Sequence, residues 1–273
     1  MGKLPVTFLT DYGTADGFPG ICRAVIERES PGTVVIDLSH EVPRHDVRRG
    51  AVMLADAVPY LPAGVHLAIV DPGVWGPRRE VAVRSAGGRL FVGPDNGLLA
   101  PAIERTGGAE AASDLSRSSL RADPVSATFH GRDVFSPVAA ALARGAALDE
   151  VGDPIDPAAL VSTVMPRAMV REGAIAAHAL LIDGFGNVAL DLRRGEAGFD
   201  PDLGDRLEVR SGDHRLSVRA VNTFADAEIG ELVLYEDSSG RFALGVREAS
   251  AAASMEVSLD AEIQLRPDGD DAA

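Results

Sequence analysis

The sequence is nearly devoid of cysteine and lysine. Cys22 is the only cysteine and Lys3 the only lysine among 273 residues. A single cysteine excludes both a disulfide within the chain and a metal cage built from thiolates. The chain also lacks a Gly-Lys-Ser/Thr sequence, which excludes a Walker phosphate-binding loop. A catalytic Schiff-base lysine would have to be Lys3, at the very terminus, so Schiff-base chemistry is not expected.

Long apolar runs and positive charge are also missing. No stretch of 18 or more apolar residues occurs, so no transmembrane helix is expected. The first residues lack the apolar region of a signal peptide, and a cytoplasmic protein is therefore expected. With 26 basic against 41 acidic residues the net charge is −15, which argues against nucleic acid as a partner. Hydrophobic residues make up 46% of the chain, enough for a folded core.

The first half of the chain alternates strand-like and helical patterns. This alternation predicts an α/β domain at residues 1–165 with a mostly parallel sheet. Asp46 is the expected N-cap of one of the helices. Strands are expected at 6–10, 33–38, 65–70, 80–83 and 90–92, and helices at 18–29, from 46 on, at 96–105 and at 134–144.

The second half reads mainly as strands. Alternating patterns and a turn at 211–214 predict a smaller antiparallel β domain, barrel-like, at residues 166–265. Residues 266–273 are expected to form a disordered acidic tail. The predicted strands lie at 175–182, 188–192, 206–210, 215–218, 232–235 and 242–246.

Charged side chains follow the predicted strands of the first half. Asp11 ends the first strand and Asp71 the third, and ligands of open α/β sheets bind beyond such carboxyl ends. Each of these residues also has a structural explanation. Asp11 and Asp71 could cap turns, and His130 could be a structural histidine. Arg78 could be a solvated surface charge.

Several segments, taken in order, resemble one family. They are similar to the S-adenosyl-L-methionine hydrolases (adenosine-forming), also called hydroxide adenosyltransferases, which are relatives of fluorinating and chlorinating enzymes. The resemblance covers about residues 5–255. The segments are Leu9-Thr10-Asp11-Tyr12-Gly13 with Asp16, Val70-Asp71-Pro72-Gly73-Val74 with Arg78-Arg79, Gly93-Pro94-Asp95-Asn96-Gly97, Thr128-Phe129-His130-Gly131-Arg132-Asp133, Ile182-Asp183-Gly184-Phe185-Gly186-Asn187, and Thr223-Phe224 with Glu228-Ile229-Gly230.

The resemblance implies a role for each matching residue. Asp71, Arg78 and His130 match the triad around the water nucleophile, and Asp11 matches the carboxylate that binds the ribose hydroxyls. The remaining matches are Asp16, Asp183 and Ser238 near the methionine end, Phe185, Asn187 and Phe224 at the adenine, Arg247 and Ala249 where the last strand closes over the adenine, and Asn96 in a motif that lines the site.

The family also implies an assembly and a reaction. Its members hydrolyse S-adenosyl-L-methionine to adenosine and L-methionine without a cofactor or metal. They form homotrimers, with each active site between the N-terminal domain of one subunit and the C-terminal domain of its neighbour.

This chain departs from the family pattern in places. Trp75-Gly76-Pro77 stands where small polar residues are expected, Phe18 where the halogenases have a small polar residue, His45 where the fluorinating enzymes have Trp, and Ser239 where the halogenases have Arg. Three alternatives stay open: a halide-using synthase of 5′-halo-adenosine, a protein that binds adenosine or S-adenosyl-L-methionine without turnover, and a metal hydrolase that uses Asp11, Asp71, His130 and Asp133.

Overall fold

The computed structural model describes residues 2–268. The chain divides after Val164 into two compact units, each with its own hydrophobic core. Over residues 2–268, none of the helices has the length and apolar character needed to cross a bilayer.

The first unit contains seven strands and five helices. The strands are β1 (Val6–Thr10), β2 (Val35–Ser39), β3 (Val65–Ile69), β4 (Glu80–Ser85), β5 (Leu90–Pro94), β6 (Ala109–Asp114) and β7 (Asp153–Ile155). The helices are α1 (Phe18–Glu29), α2 (Val47–Ala57), α3 (Ala100–Arg105), α4 (Ser136–Ala143) and α5 (Leu148–Val151).

These strands form one mixed sheet in the order β2-β1-β3-β5-β4-β6-β7. The pairs from β2 to β5 are parallel and those from β5 to β7 are antiparallel. The predicted α/β class is confirmed, but the sheet is mixed rather than mostly parallel, because three of its six strand pairs are antiparallel. The parallel half brings the carboxyl ends of β1 and β3 side by side, and these are the strand ends that precede Asp11 and Asp71.

Apolar residues on both faces of the strands explain how this sheet forms. Every residue of β1 and β3 is buried, as expected for central strands covered on two sides. Helix α1 buries Cys22, Val25 and Ile26 and packs against α4, all of whose residues are buried. Asp46 caps α2 as predicted, because its carboxylate accepts a hydrogen bond from the Arg49 N–H at 2.9 Å.

Two of the predicted helices begin at other residues. The helix predicted at 96–105 begins only at Ala100, because the Asn96 side chain accepts a hydrogen bond from the Leu98 N–H and holds a turn. The helix predicted at 134–144 is preceded by a π-helical turn, Gly131–Phe135, that starts directly after His130. Strand β6 was not predicted, and it joins the sheet by antiparallel pairing with β4.

The second unit is a closed barrel. Its strands are β8 (Met169–Arg171), β9 (Ala174–Ile182), β10 (Val188–Leu190), β11 (Arg206–Ser211), β12 (His214–Ala220), β13 (Leu232–Glu236), β14 (Phe242–Val246) and β15 (Glu262–Pro267), with one helix, α6 (Ala251–Ser254). Seven strands pair in the order β10-β14-β13-β12-β11-β15-β9, and β9 pairs with β10 to close the ring. Strand β8 extends β9 at the side.

The end of the chain differs from the expectation of a disordered tail at 266–273. Arg266 and Pro267 belong to β15, where Arg266 pairs with Glu208 and Pro267 with Leu207 of β11. Residues 269–273 of that predicted tail lie outside the described residues. The predicted barrel-like β domain is confirmed, with β15 and β8 as additions. One of its strand pairs, β12 with β13, is parallel rather than antiparallel.

We expect Asp46→Ala to lower the free energy of unfolding by about 1 kcal/mol, since the first turn of α2 loses the acceptor of the Arg49 N–H. Urea unfolding followed by circular dichroism measures this change. Asp46→Ser, which keeps a capping oxygen, is the matched control. A loss of equal size in both variants would contradict the capping role.

Candidate active site

A cleft of about 320 Å³ lies at the carboxyl ends of β1 and β3. The loops that follow these strands and the segment before α4 form its walls. Lining side chains are Asp11, Tyr12, Asp16, Phe18, Arg44, His45, Ile69, Asp71, Val74, Thr128, His130 and Gly131. Four sequence-predicted residues therefore meet in one cleft: Asp11, Asp16, Asp71 and His130.

Asp71 is held by Arg78 at the wall of this cleft. Arg78 Nε donates to Asp71 Oδ1 at 3.0 Å, and Arg78 Nη2 donates to Oδ2. Both side chains are almost fully buried, with 6% of Asp71 and 9% of Arg78 exposed. This two-pronged pairing fixes the carboxylate in direction as well as in charge. The alternative reading of Arg78 as a solvated surface charge is wrong.

His130 joins the pair through the same guanidinium. Arg78 Nη2 lies 2.9 Å from His130 Nδ1. Because a guanidinium can only donate, this contact is a hydrogen bond in the tautomer of neutral His130 that carries its proton on Nε2. Burial, followed by the charge of Arg78, lowers the pKa of His130 below its ordinary value. Nε2 is buried and has no hydrogen-bond partner among the described residues. A buried polar atom of this kind is costly unless a bound molecule satisfies it.

Glu80 and Arg121 lie next to this triad and were missed by the sequence analysis. Glu80 is 6% exposed. Its Oε1 accepts from Arg78 Nη1 at 2.9 Å and its Oε2 accepts from Arg121 Nη1 at 2.8 Å. Oε1 also lies 2.9 Å from His130 Nδ1. Glu80 opens β4, where a charge two residues after Arg78 gives no signal of its own.

Asp11 holds the loop on another side of the cleft. Its Oδ2 accepts a hydrogen bond from the His45 N–H at 2.9 Å. His45 has a φ of 67°, an uncommon conformation for a residue with a side chain, and the bond to Asp11 stabilises it. Asp11 therefore holds the loop that follows β2 rather than the turn that follows β1, and it also lines the cleft. Asp16 lines the cleft and is exposed.

Aromatic side chains form one wall. The rings of Tyr12, Phe18 and Phe129 lie 5.1 to 6.0 Å apart, centre to centre. Burial, with the charges of Cys22, Asp11 and Asp71, raises the pKa of Tyr12 well above its ordinary value, so its phenol stays protonated. A Cβ on Gly131 would stand 2.3 Å from the Tyr12 hydroxyl oxygen, so this position requires glycine. Tyr12 was within the first quoted motif but was not predicted as a site residue.

Asn96 does not line the cleft. Its Nδ2 donates to the Val70 carbonyl at 2.9 Å, one residue before Asp71. Asn96 therefore fixes the end of β3 from behind, and its contribution to the cleft passes through the backbone.

The barrel unit carries a second depression, of about 620 Å³. Four predicted residues line it: Phe185, Asn187, Phe224 and Ala249, together with Val246, Glu248 and Ser250. Phe185 is 82% exposed, so it does not belong to the hydrophobic core of the barrel. An exposed aromatic ring beside an amide suits a flat heterocycle, by stacking on one and hydrogen bonding to the other.

Asp183 builds the loop that presents two of these side chains. Its Oδ1 accepts from the N–H groups of Phe185 and Asn187, each at 2.9 Å, and its Oδ2 accepts from Asn187 Nδ2 at 2.8 Å. All these bonds are internal to the loop, so Asp183 orients Asn187 from below. Gly245 lets the depression close up, because a Cβ there would stand 2.7 Å from the Phe224 ring and 2.9 Å from Asn187 Oδ1.

Two predicted residues of this unit do not line the depression. Arg247 turns to the Ala227 carbonyl, to which Nη1 donates at 2.7 Å, and so supports the turn that follows Phe224. Ser238 lies in the exposed turn after β13, two residues past its end at Glu236.

The acidic residues of the first unit are engaged in other ways than as a metal cage. Over residues 2–268, no three His, Cys, Asp or Glu side chains are grouped so as to hold a metal ion. Asp133 accepts from Arg132 Nε and from the Ser126 N–H. The alternative set of Asp11, Asp71, His130 and Asp133 therefore does not form a ligand cluster.

Family models match both units. The model of the SAM hydroxide adenosyltransferase N-terminal domain matches residues 6–152, and that of the C-terminal domain matches residues 177–264. The chain belongs to the SAM hydroxide adenosyltransferase family. The family resemblance inferred from the sequence segments is confirmed.

Relatives that carry a functional name are similar to this chain over most of their length. A protein of Salinispora tropica named (R)-S-adenosyl-L-methionine hydrolase is 47% identical over 90% of this chain and 92% of its own. One of Thermus thermophilus with the same name is 37% identical, over 90% and 93%. A fluorinase of Actinoplanes is 28% identical over 92% and 93%.

Solved structures agree with this membership of the hydroxide adenosyltransferase family. The crystal structure of an uncharacterized conserved protein from Thermotoga maritima has a TM-score of 0.89 at 31% identity, covering 95% of this chain and 99% of that one. A conserved hypothetical protein from Thermus thermophilus has a TM-score of 0.76 at 33% identity, covering 96% and 99%.

The close approach of Tyr12 to Gly131 gives a test of the cleft wall. We expect Gly131→Ala to destabilise the protein by about 1–3 kcal/mol, the usual cost of an added methyl in a packed site. In the double variant with Tyr12→Phe, which removes the hydroxyl oxygen, part of this loss is expected to return. Thermal unfolding of the single and double variants measures both values. If the two substitutions are additive, the contact does not cause the requirement for glycine.

Proposed function

We propose that this chain hydrolyses S-adenosyl-L-methionine to adenosine and L-methionine. Water attacks the ribose C5′, the new O–C5′ bond forms as the C5′–S bond breaks, and the electron pair of that bond leaves with sulfur as the neutral thioether. The second proton of the water is released. The observation that carries this proposal is the buried cluster of Asp71, Arg78 and His130 at the wall of the cleft, in a chain of this family.

Orientation of the water is the chemical task in this reaction. The sulfonium is a good leaving group that needs no acid, so catalysis consists of aligning a weak nucleophile. Alignment alone supplies up to about 7–11 kcal/mol of the barrier. In the proposed arrangement Asp71 accepts a hydrogen from the water and His130 Nε2–H donates to one of its lone pairs, leaving the other lone pair for C5′. Arg78 holds the Asp71 carboxylate in place through two hydrogen bonds.

The other lining residues of the first unit are proposed to hold the ribose and the methionine. Asp11 Oδ1 is the oxygen left for the ribose hydroxyls, since Oδ2 is used by His45. Asp16 offers a carboxylate to the methionine ammonium. Asn96 is proposed to act indirectly, through the Val70 carbonyl that it fixes.

The depression of the barrel unit is proposed as the adenine subsite. Phe185 and Phe224 offer rings for stacking, Asn187 an amide for the base edge, and Ala249 a small side chain at the last strand. Asp183 and Ser238 are proposed for the methionine end and Arg247 for closure over the adenine. The loop bonds of Asp183 and the turn contact of Arg247 support a positioning part in those roles.

We also propose that the protein is a cytoplasmic homotrimer in which the cleft of one subunit and the depression of its neighbour form one active site. The support is that each unit carries its own open half of the predicted residue set, polar in the cleft and aromatic in the depression. In a closed ring of identical subunits, one surface of each subunit contacts a different surface of the next, so every site could combine a cleft and a depression from neighbouring subunits.

Product analysis tests the reaction. In water labelled with heavy oxygen, we expect adenosine labelled at its 5′-oxygen and unlabelled L-methionine, detected by chromatography with mass spectrometry. Both epimers at sulfur should be supplied, because the relatives' name specifies the R form. Asp71→Asn is expected to lose about 10²–10⁴-fold in kcat/KM, as it removes the proton acceptor. Asp149→Asn, at an exposed position of α5, is the control.

The same assay decides between the alternatives. Binding measured by calorimetry without any adenosine would favour a binding protein. A 5′-halo-adenosine formed with fluoride or chloride would favour a halide-using enzyme, and activity lost in chelator and restored by a divalent ion would favour a metal hydrolase. Any of these results in place of labelled adenosine contradicts the proposal.

Subunit complementation tests the shared site. Asp71→Asn damages the cleft and Phe224→Ala the depression, so each variant alone should be nearly inactive. When the two are unfolded and refolded together, random assembly pairs an intact cleft with an intact depression at about one site in four. We expect activity to return to about that fraction of wild type. If both halves of a site came from one chain, the mixture would regain none.

A further inference from the structure

Four charged side chains lie together at the buried side of the cleft, and only two of them are in the predicted triad. Asp71 and Glu80 are the carboxylates, and Arg78 and Arg121 are the guanidiniums. Their charges cancel in pairs along the series Asp71, Arg78, Glu80, Arg121. Since Glu80 does not line the cleft, it has no direct access to a bound substrate.

Arg78 is placed by contacts on every nitrogen. Nε and Nη2 donate to Asp71, Nη2 also contacts His130 Nδ1, and Nη1 donates to Glu80 at 2.9 Å. Among these three partners of Arg78, Asp71 and His130 line the cleft and Glu80 does not. Without it the guanidinium could rotate about its bonds to Asp71, and the hydrogen bond to His130 depends on that rotation.

Arg121 in turn fixes Glu80. Arg121 Nη1 donates to Glu80 Oε2 at 2.8 Å and to the Leu115 carbonyl at 3.2 Å. The Leu115 N–H donates to the Glu80 carbonyl at 2.8 Å, so the segment after β6 is tied to the start of β4 at this point. The series from Asp71 to Arg121 is therefore anchored to the backbone at Leu115, which restricts the movement of Arg121 and Glu80.

We propose that Glu80, backed by Arg121, is a positioning residue that acts on the reaction through Arg78 and His130. Glu80 sets the rotation of the Arg78 guanidinium and opposes its charge at His130 Nδ1. This proposal rests on the proposed function for its kinetic consequence, whereas its electrostatic consequence for His130 can be measured without substrate.

Glu80 and Arg121 act on the pKa of His130 in opposite directions. The charged groups around His130 are Asp71, Arg78, Glu80 and Arg121, with Asp133 interacting from the following turn. Glu80 raises the pKa of His130 and Arg121 lowers it. Glu80→Gln is therefore expected to lower the pKa of His130, and Arg121→Gln is expected to raise it. A purely structural role would not move the pKa in opposite directions.

Trp75 provides the readout. It is the only tryptophan of the chain, and its ring centre lies 5.5 Å from that of His130. An imidazolium in contact with an indole quenches its emission, so the fluorescence of Trp75 reports protonation of His130. His130→Gln, in which the titration should disappear, identifies the transition.

The experiment follows Trp75 emission against pH in the full-length protein without substrate. We expect the midpoint to move to lower pH in Glu80→Gln, to higher pH in Arg121→Gln, and to stay in Arg121→Lys, which keeps the charge. Glu110→Gln, which removes an exposed partner of Arg84 on the same sheet, is the matched control and should change nothing. Unmoved midpoints, or midpoints that move the same way, overturn the proposal.

Kinetics on S-adenosyl-L-methionine complete the test. Glu80→Gln should lower kcat by up to about 10²-fold, the loss caused by a misplacement of 1 Å, with little change in KM because Glu80 does not touch substrate. The acid limb of its pH profile should extend to lower pH, since His130 stays neutral there. An unchanged kcat overturns the kinetic part. If wild type shows no turnover, the proposed function fails while the titration still decides the positioning role.

If Glu80→Gln fails to fold, the Arg121 variants still test the proposal. A folded Arg121→Gln whose Trp75 titration matches that of Arg121→Lys would overturn the proposal, and one shifted to higher pH would support it. Circular dichroism of each variant establishes which of them is folded.

Discussion

The hydrogen bonds between Arg78 and Asp71 set the geometry on which the cleft depends. Two nearly buried charges of opposite sign contribute little net stability, because the loss of hydration offsets most of their attraction. Breaking such a pair is different, since removal of one partner leaves an uncompensated buried charge at a cost of about 3–5 kcal/mol. The pair is thus better understood as a constraint on position than as a source of stability. Glu80 and His130 contact the same guanidinium.

The cleft and the depression use different physical means to hold their side chains. In the first unit ion pairs and a histidine tautomer define directions for hydrogen bonds. In the barrel a short loop satisfies its own polar groups through Asp183, and the absence of a side chain at Gly245 lets Phe224 and Asn187 approach. In the proposed reaction, polar constraint suits the cleft, where bonds would be made and broken, and an apolar face suits the depression, which would only bind the base.

Much of the fold and part of the site followed from the sequence. Strand and helix alternation predicted the α/β unit, because central strands such as β1 and β3 are apolar throughout. The strand-end position of Asp11 and Asp71 predicted their meeting, whereas the partnership with His130 came from a family resemblance. The role of Glu80 could not be predicted. In the sequence, a glutamate at the first position of an apolar strand cannot be distinguished from a surface charge, and its burial becomes evident only when β6 and Arg121 are packed over it. Asn96 and Arg247 are the opposite case. The sequence predicted them as site residues, but their side chains donate to backbone carbonyls and do not line the cleft or the depression.

The near absence of lysine sharpens this view of Arg78. Composition alone suggests that arginine stands at position 78 because the chain uses arginine for almost every positive charge. The contacts give an independent reason. A guanidinium offers five donors in a rigid plane, and Arg78 directs them at once to Asp71, His130 and Glu80. An ammonium is a point charge that could satisfy one or two of these acceptors and would fix no rotation. The geometry of these contacts therefore requires arginine at position 78, even though the composition of the chain would also favour arginine there.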